Sequence, residues 1–395
     1  MQDAWTILRK IGTTGKNPDG SYTRRCYSPE FFAAAAIVRK EMEALKMTVS
    51  QDATGSIHGI LPGTEPGLKH IVMGSHLDTV PSGGLFDGAL GVSAALAALH
   101  RLQESGTRLR HPVEVYGFNG EEFNALGGLY GSRVLTGLFD PDRPGMKEAL
   151  ASHGHTPEEI KGCRRDFSDV KCYLEAHIEQ GPELDAHHIP LGVVSGIAGV
   201  YRYRVTCMGQ SNHGGTTMMP SRHDAMVGMA KLIVFGDEAC RRIDDHLVFT
   251  AGTIACWPNS ANVVPGKVEC TFEMRHLDKA KTDALIHEIK DYASRIDRVK
   301  FEFTALEEKP GVYSSPEIMK VFEQAAEKAG IPHVVMPSGA SHDAHAMARR
   351  VPMGMIFVPS KDGISHNGAE WTEPQDVKNA GIVLYEALKI LDCED

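Results

Sequence analysis

The chain has 395 residues, with 41 Lys and Arg against 51 Asp and Glu, a net charge of −10. At 42% hydrophobic and 23% charged residues it has the composition of a globular protein, which excludes a disordered or fibrous chain. The acidic balance disfavours a nucleic-acid partner, because phosphate binding needs a basic field. The Arg pairs (Arg24-Arg25, Arg164-Arg165, Arg241-Arg242 and Arg349-Arg350) lie scattered along the sequence. The longest mostly apolar stretch, Gly88 to Leu99, is too short to span a bilayer, and the first residues lack the apolar core of a signal peptide. Eight cysteines without a Cys-x-x-Cys do not form a disulfide framework. A reduced, cytoplasmic protein with no membrane partner is expected, and the length calls for two or three domains.

In chain order, Phe31, Ala35, Val38 and Met42 recur at helical spacing and predict a helix that ends near Leu45. The run His70 to His76 reads as a buried strand, the Ala-rich Gly88 to Leu102 as a helix, and Val113 to Phe118 as a strand. A weakly helical Leu129 to Leu135 follows. Strands separated by helices predict an α/β unit, a mostly parallel sheet flanked by helices.

From about Gly199 to Thr304 the pattern changes. Tyr201 to Cys207 and Lys267 to Arg275 alternate with period two, and Leu247 to Cys256 and Lys300 to Thr304 read as further strands. With helices over His223 to Arg242 and Lys279 to Arg295, the order is β-α-β-β-α-β, the ferredoxin-like arrangement. After Pro310 long helices return, with an apolar strand at Val351 to Val358. The expected organisation is an α/β domain over 1–198 and 312–395, with a small ferredoxin-like α+β domain inserted at 199–311.

Asp, Glu and His gather just past strand ends, where open α/β sheets place their ligands. His76 and Asp78 follow the first buried strand, and Asp87 stands at the start of the Ala-rich helix. Glu121 and Glu122 follow Val113 to Phe118, His177 lies in a run ending Glu-Gln-Gly, and His366 lies near the end of the chain. Taken singly, each has an ordinary explanation: a satisfied polar His, an Asp capping a helix, a solvated Glu pair. Together, three His, one Asp and one Glu form a ligand set for a pair of divalent ions, with one carboxylate bridging. The spare carboxylate beside the ligand Glu would then serve as a general base.

The segments Gly74-Ser-His-Leu-Asp-Thr-Val, Gly83-Gly-Leu-Phe-Asp-Gly-Ala, Glu121-Glu122, Gly131-Ser-Arg, His177-Ile-Glu-Gln-Gly and Ser365-His366 resemble the M20 metallopeptidase superfamily. More narrowly they resemble its hydantoinase/carbamoylase amidase family, which includes N-carbamoyl-L-amino-acid hydrolases, β-ureidopropionases and allantoate amidohydrolases. The His-x-Glu-Gln-Gly run is the most specific marker. The resemblance implies one metal on His76, Asp87 and His177 and another on Asp87, Glu122 and His366, zinc first, with manganese, cobalt or nickel as alternatives. It implies Glu121 as the general base, Asp78 as a carboxylate that orients the site, and Gln180 as a substrate contact. The inserted domain resembles the family's lid and dimerisation domain, implying a homodimer. There Asn212-His-Gly-Gly-Thr-Thr implies that His213 stabilises the oxyanion, in the partner subunit's site, while Asn262 and Arg275 bind the substrate carboxylate. His342, Asp343 and His345 fall in a family-like loop and are expected in supporting roles.

The implied reaction is hydrolysis of the ureido C–N bond of an N-carbamoyl-L-amino acid to amino acid, ammonia and carbon dioxide. Allantoate or another ureido acid is the alternative substrate, and a dipeptidase or aminoacylase the second alternative. The chain departs from the family after the acid pair, where it reads Glu121-Glu-Phe-Asn-Ala-Leu, and at Gly214, Met218 and Ser341.

Overall fold

The computed structural model describes residues 2–393. The chain divides into two compact units, residues 1–195 with 313–395, and Gly196–Val312.

Among the described residues the first unit is built on a nine-stranded sheet ordered Thr48–Gln51, Ile57–Leu61, Val113–Phe118, His70–His76, Val170–Ile178, Met353–Val358, Gly192–Ile197 and Val312–Tyr313, with Val334–Ser338 also pairing with Gly192–Ile197. The four strands from Val113–Phe118 to Met353–Val358 run parallel, and Ile57–Leu61 and Gly192–Ile197 flank them antiparallel. The expected mostly parallel sheet is therefore present at the centre, with antiparallel margins. Thr48–Gln51 and Ile57–Leu61 carry no alternating apolar signal. Their mixed burial shows why: they lie toward one edge and are only partly covered.

The helix Ala89–Glu104 packs on this sheet, and thirteen of its residues are buried. A helix covered on nearly every side has no polar stripe, which is why Ala and Leu dominate instead of an amphipathic pattern. Small residues let it approach the sheet closely: a Cβ at Gly91 would lie 2.2 Å from the Ala176 carbonyl oxygen. Ala4–Ile11, Pro29–Ala44, Pro316–Ala329 and Pro374–Cys393 complete one apolar core with it.

The second unit is a four-stranded antiparallel sheet, with Lys300–Lys309, Gly199–Met208, Lys267–His276 and Val248–Trp257 in spatial order. The helices Ala225–Ile243 and Lys279–Arg295 pack against it around Val205, Leu232, Phe272 and Ile289. This is the β-α-β-β-α-β order expected from the alternation, and the largest difference is the last strand, which runs on from Thr304 to Lys309. Among the described residues no helix is long and apolar enough to cross a membrane.

Buried charge in the first unit includes Glu114, 1% exposed, whose carboxylate meets His58 Nε2 at 2.6 Å and also pairs with His70 and Arg165. Burial alone would raise its pKa, but His58 and Arg165 outweigh burial and hold it at about 2, against an ordinary 4.5. A depressed carboxylate contributes stability above its unfolded pKa that is lost as pH falls through its folded one. Glu114→Gln should therefore lower the urea midpoint at pH 7 by the equivalent of about 3 kcal/mol. The gap to the parent protein should close between about pH 4.5 and pH 2. A gap that does not change across that window would contradict this assignment.

Candidate metal centre

Three parallel strands deliver the site. His76 ends His70–His76, His177 is the penultimate residue of Val170–Ile178, and Glu121 and Glu122 follow Val113–Phe118. Asp87 precedes the helix Ala89–Glu104, yet the position that caps the helix is Gly88, and no side chain caps it. The Asp87 carboxylate is thus left free of capping and faces three imidazoles instead. Gly88 has φ +67, and a Cβ there would lie 2.4 Å from His76 Nδ1, so the turn admits only glycine.

The two oxygens of Asp87 face opposite ways. Oδ1 lies 3.3 Å from His76 Nε2 and 3.2 Å from His177 Nε2, while Oδ2 lies 3.3 Å from His366 Nε2. His366 Nε2 is also 3.4 Å from Glu122 Oε1. Two clusters result, His76–Asp87–His177 and Asp87–Glu122–His366, each with ligand atoms within 4.8 Å of one another. His342, Asp343 and His345 join neither cluster. The His342 ring instead packs 4.4 Å from that of His177.

The imidazoles are held with Nε2 inward. His76 Nδ1–H donates to the Asp78 carbonyl at 3.0 Å, and His177 Nδ1–H to the Ile178 carbonyl at 2.9 Å. A carbonyl only accepts, so Nδ1 keeps the proton and both Nε2 lone pairs face the site, where that of His177 accepts the Gly88 N–H at 3.2 Å. These two Nε2 atoms stand 3.5 Å apart, and the buried Glu122 Oε1 has no hydrogen-bond partner. Facing nitrogens and an unsatisfied buried carboxylate oxygen are unfavourable without a cation among them. The donor set, imidazole and carboxylate only, suits zinc and its neighbours.

Glu121 belongs to neither cluster, although its Oε2 lies 3.8 Å from His76 Nε2. Burial, then the charges of Glu122, Asp343 and Asp87, push its pKa well above the ordinary range, against the pull of His76. Asp78 orients this loop directly: its carboxylate accepts the N–H groups of Gly120, Glu121 and Glu122 at 2.8 to 3.1 Å. Gln180, expected at the substrate, places its amide on Asp87 Oδ2 at 2.9 Å.

Glu370 is a member of the site that sequence reasoning misses. Its carboxylate accepts the N–H groups of Phe86 and Asp87 at 2.9 and 3.1 Å and the Ser365 hydroxyl at 2.9 Å. Its only signal is its place four residues after His366 in the same short run.

In the second unit, Asn212–His213 pairs with Val263–Val264, and the Gly214 N–H donates to the Asn262 carbonyl at 2.7 Å, which brings His213 beside Asn262. His213 Nδ1 accepts the N–H groups of Gly215 and Thr216 at 3.1 Å each, so its proton resides on the exposed Nε2. Arg275 stands elsewhere, near the far end of Lys267–His276, bonded to Glu273. About 25 Å of extended strand separates it from the Lys267 end where Asn262 lies.

Without a cation the site holds protons. The bond to Asp87 raises His366 to about 9 despite burial, and burial and the Asp87 charge raise Glu122 to about 7. Metal binding must displace these protons. Titrating zinc into metal-free protein at pH 7, in two buffers of different ionisation enthalpy, should show release of about one proton or more per chain. Affinity should weaken steadily as pH falls. Binding without proton release would contradict this arrangement.

Comparison with known proteins shows the family to which the chain belongs. The model of the peptidase family M20/M25/M40 matches residues 72–390. The chain is 35% identical to the N-carbamoyl-L-amino acid amidohydrolase of Geobacillus stearothermophilus, over 97% of each chain. It is 34% identical to the allantoate amidohydrolase of Escherichia coli K12, over 95% of each. Its fold resembles the crystal structure of a hydantoinase/carbamoylase family amidase from Burkholderia multivorans, with a TM-score of 0.89, 30% identity and coverage of 99% and 97%. The chain belongs to the M20/M25/M40 peptidase family and, within it, to the hydantoinase/carbamoylase amidases.

Proposed function

We propose that the protein is a metal-dependent amidohydrolase that cleaves the ureido C–N bond of an N-carbamoyl-L-amino acid, giving the amino acid, ammonia and carbon dioxide. The observation that carries this reading is the single Asp87 carboxylate shared between two ligand clusters, with the uncommitted Glu121 beside them. His76, Asp87 and His177 would hold one divalent ion, and Asp87, Glu122 and His366 a second, zinc before manganese, cobalt or nickel. When bound, such ions polarise a carbonyl oxygen and lower the pKa of water.

The protein's own groups do the rest. Glu121 takes a proton from the attacking water and passes it to the departing nitrogen, the task of a buried carboxyl whose pKa is raised by burial and by neighbouring carboxylates. Asp78 keeps Glu121 aimed by holding its backbone N–H. His213 offers Nε2–H to the developing oxyanion, since its Nδ1 is already occupied by two amides. Asn262 and Arg275 bind the substrate carboxylate, Arg275 through its planar guanidinium.

Within one chain Arg275 is far from His213 and Asn262, which supports a homodimer in which each lid serves two sites. The edge strand Val248–Trp257 adds support, with Ile254 and Trp257 exposed along it. None of the eight cysteines is in a disulfide, in keeping with a reducing, cytoplasmic setting.

Allantoate is the second reading, because its hydrolase matches almost as well as the carbamoylase.

The test is ammonia release from N-carbamoyl-L-amino acids with apolar side chains, from allantoate and from dipeptides, with zinc, manganese, cobalt or nickel added. The N-carbamoyl-amino acids should give the highest kcat/KM. Glu121→Gln should keep its metal and lose about 10²- to 10⁴-fold in turnover. Cleavage of dipeptides with no ammonia from any ureido acid would refute the assignment.

A further inference from the structure

Arg24 is the only lysine or arginine buried among the described residues, with 0% exposure. A permanent cation is withdrawn from water only where structure compensates it. Its bonds lie on both sides of one residue. The Arg24 Nε donates to the Leu77 carbonyl at 2.9 Å. Its backbone N–H donates to the Thr79 hydroxyl at 2.9 Å, and its carbonyl accepts the Thr79 N–H at 2.9 Å. Asp78, enclosed between these anchors, is the residue whose carboxylate gathers the N–H groups of Gly120, Glu121 and Glu122. Nη1 and Nη2 have no protein partner, and their charge acts on the carboxylates of Asp78, Glu370 and Asp87. A chain of contacts thus runs from the N-terminal segment through 77–79 to the loop that carries the base and a metal ligand.

We propose that Arg24 is a positioning residue for the hydrolysis: it anchors residues 77–79 so that Asp78 holds the 120–122 backbone, and Glu121 with it, against the ligand clusters. This rests on the reading of Glu121 as the base. Arg24 belongs to neither ligand cluster, so its effect passes through the backbone it anchors. Its fork also cannot be reproduced by lysine, which supplies the charge from a single point.

The test is a double-mutant cycle on the full chain loaded with zinc, read as ammonia release from an N-carbamoyl-L-amino acid. At saturating zinc, Arg24→Met should keep KM, while kcat falls by about ten- to a hundredfold. Arg24→Lys should recover part of that loss. In an Asp78→Asn background, Arg24→Met should cost little more, because its effect passes through the group already removed. Additive losses, or full kcat in a folded Arg24→Met, would overturn the proposal. If Arg24→Met does not fold, Arg24→Lys carries the same cycle, and unchanged kcat there overturns it equally. Glu121→Gln separates the two ideas. If that variant retains turnover, the reading of the base fails; if it is inactive while Arg24→Met is normal, only the role of Arg24 fails.

Discussion

A carboxylate whose two oxygens face different nitrogen donors can join two cations that would otherwise repel each other. Asp87 is placed in this way, with Oδ1 toward His76 and His177 and Oδ2 toward His366. The three His raise the cost of protonating it, and its pKa lies well below the ordinary carboxylate range in spite of complete burial. Glu122 and His366 then complete one side of the site while His76 and His177 complete the other.

Much of the first unit serves to keep this carboxylate in place. The core helix begins immediately after it, so its backbone is fixed by packing while the partial positive charge of a helix N-terminus favours its negative charge. Gly88 lets the chain pass beneath the His76 ring, and Glu370 grips the amides of Phe86 and Asp87. The sheet supplies the remaining members from strand ends at the carboxyl edge, where side chains converge without distorting the ladder. Rigid elements thus hold the candidate ligands, and the loop at 120–122, lashed to Asp78, holds Glu121.

Residues near one another in sequence, or marked by a periodic apolar pattern, are legible from the amino acids alone. The strand at His70–His76, the Ala-rich helix and the alternating strands of the second unit are of this kind, and each forms at close to its expected bounds. The five ligand candidates are legible as a chemical set, because three imidazoles and two carboxylates past strand ends have few other common purposes. What escapes is support from a distance. Glu370 reaches Asp87 across 283 positions, and Arg24 reaches Leu77 across 53. Neither has a local pattern, since a carboxylate or guanidinium looks the same in sequence whether it is solvated or buried. The partly covered strands Thr48–Gln51 and Ile57–Leu61 escape because half-buried edges leave no regular alternation. Gln180 is recognisable from its motif, yet its amide lies on Asp87, a contact that only the fold reveals.

The claim on which the rest stands is that Asp87 joins two cations. Anomalous diffraction from zinc-loaded crystals, collected on both sides of the zinc edge, tests it most directly. The account predicts two peaks per chain, one within bonding distance of Asp87 Oδ1 and the other of Asp87 Oδ2. A single peak, or two peaks of which only one touches Asp87, would contradict it.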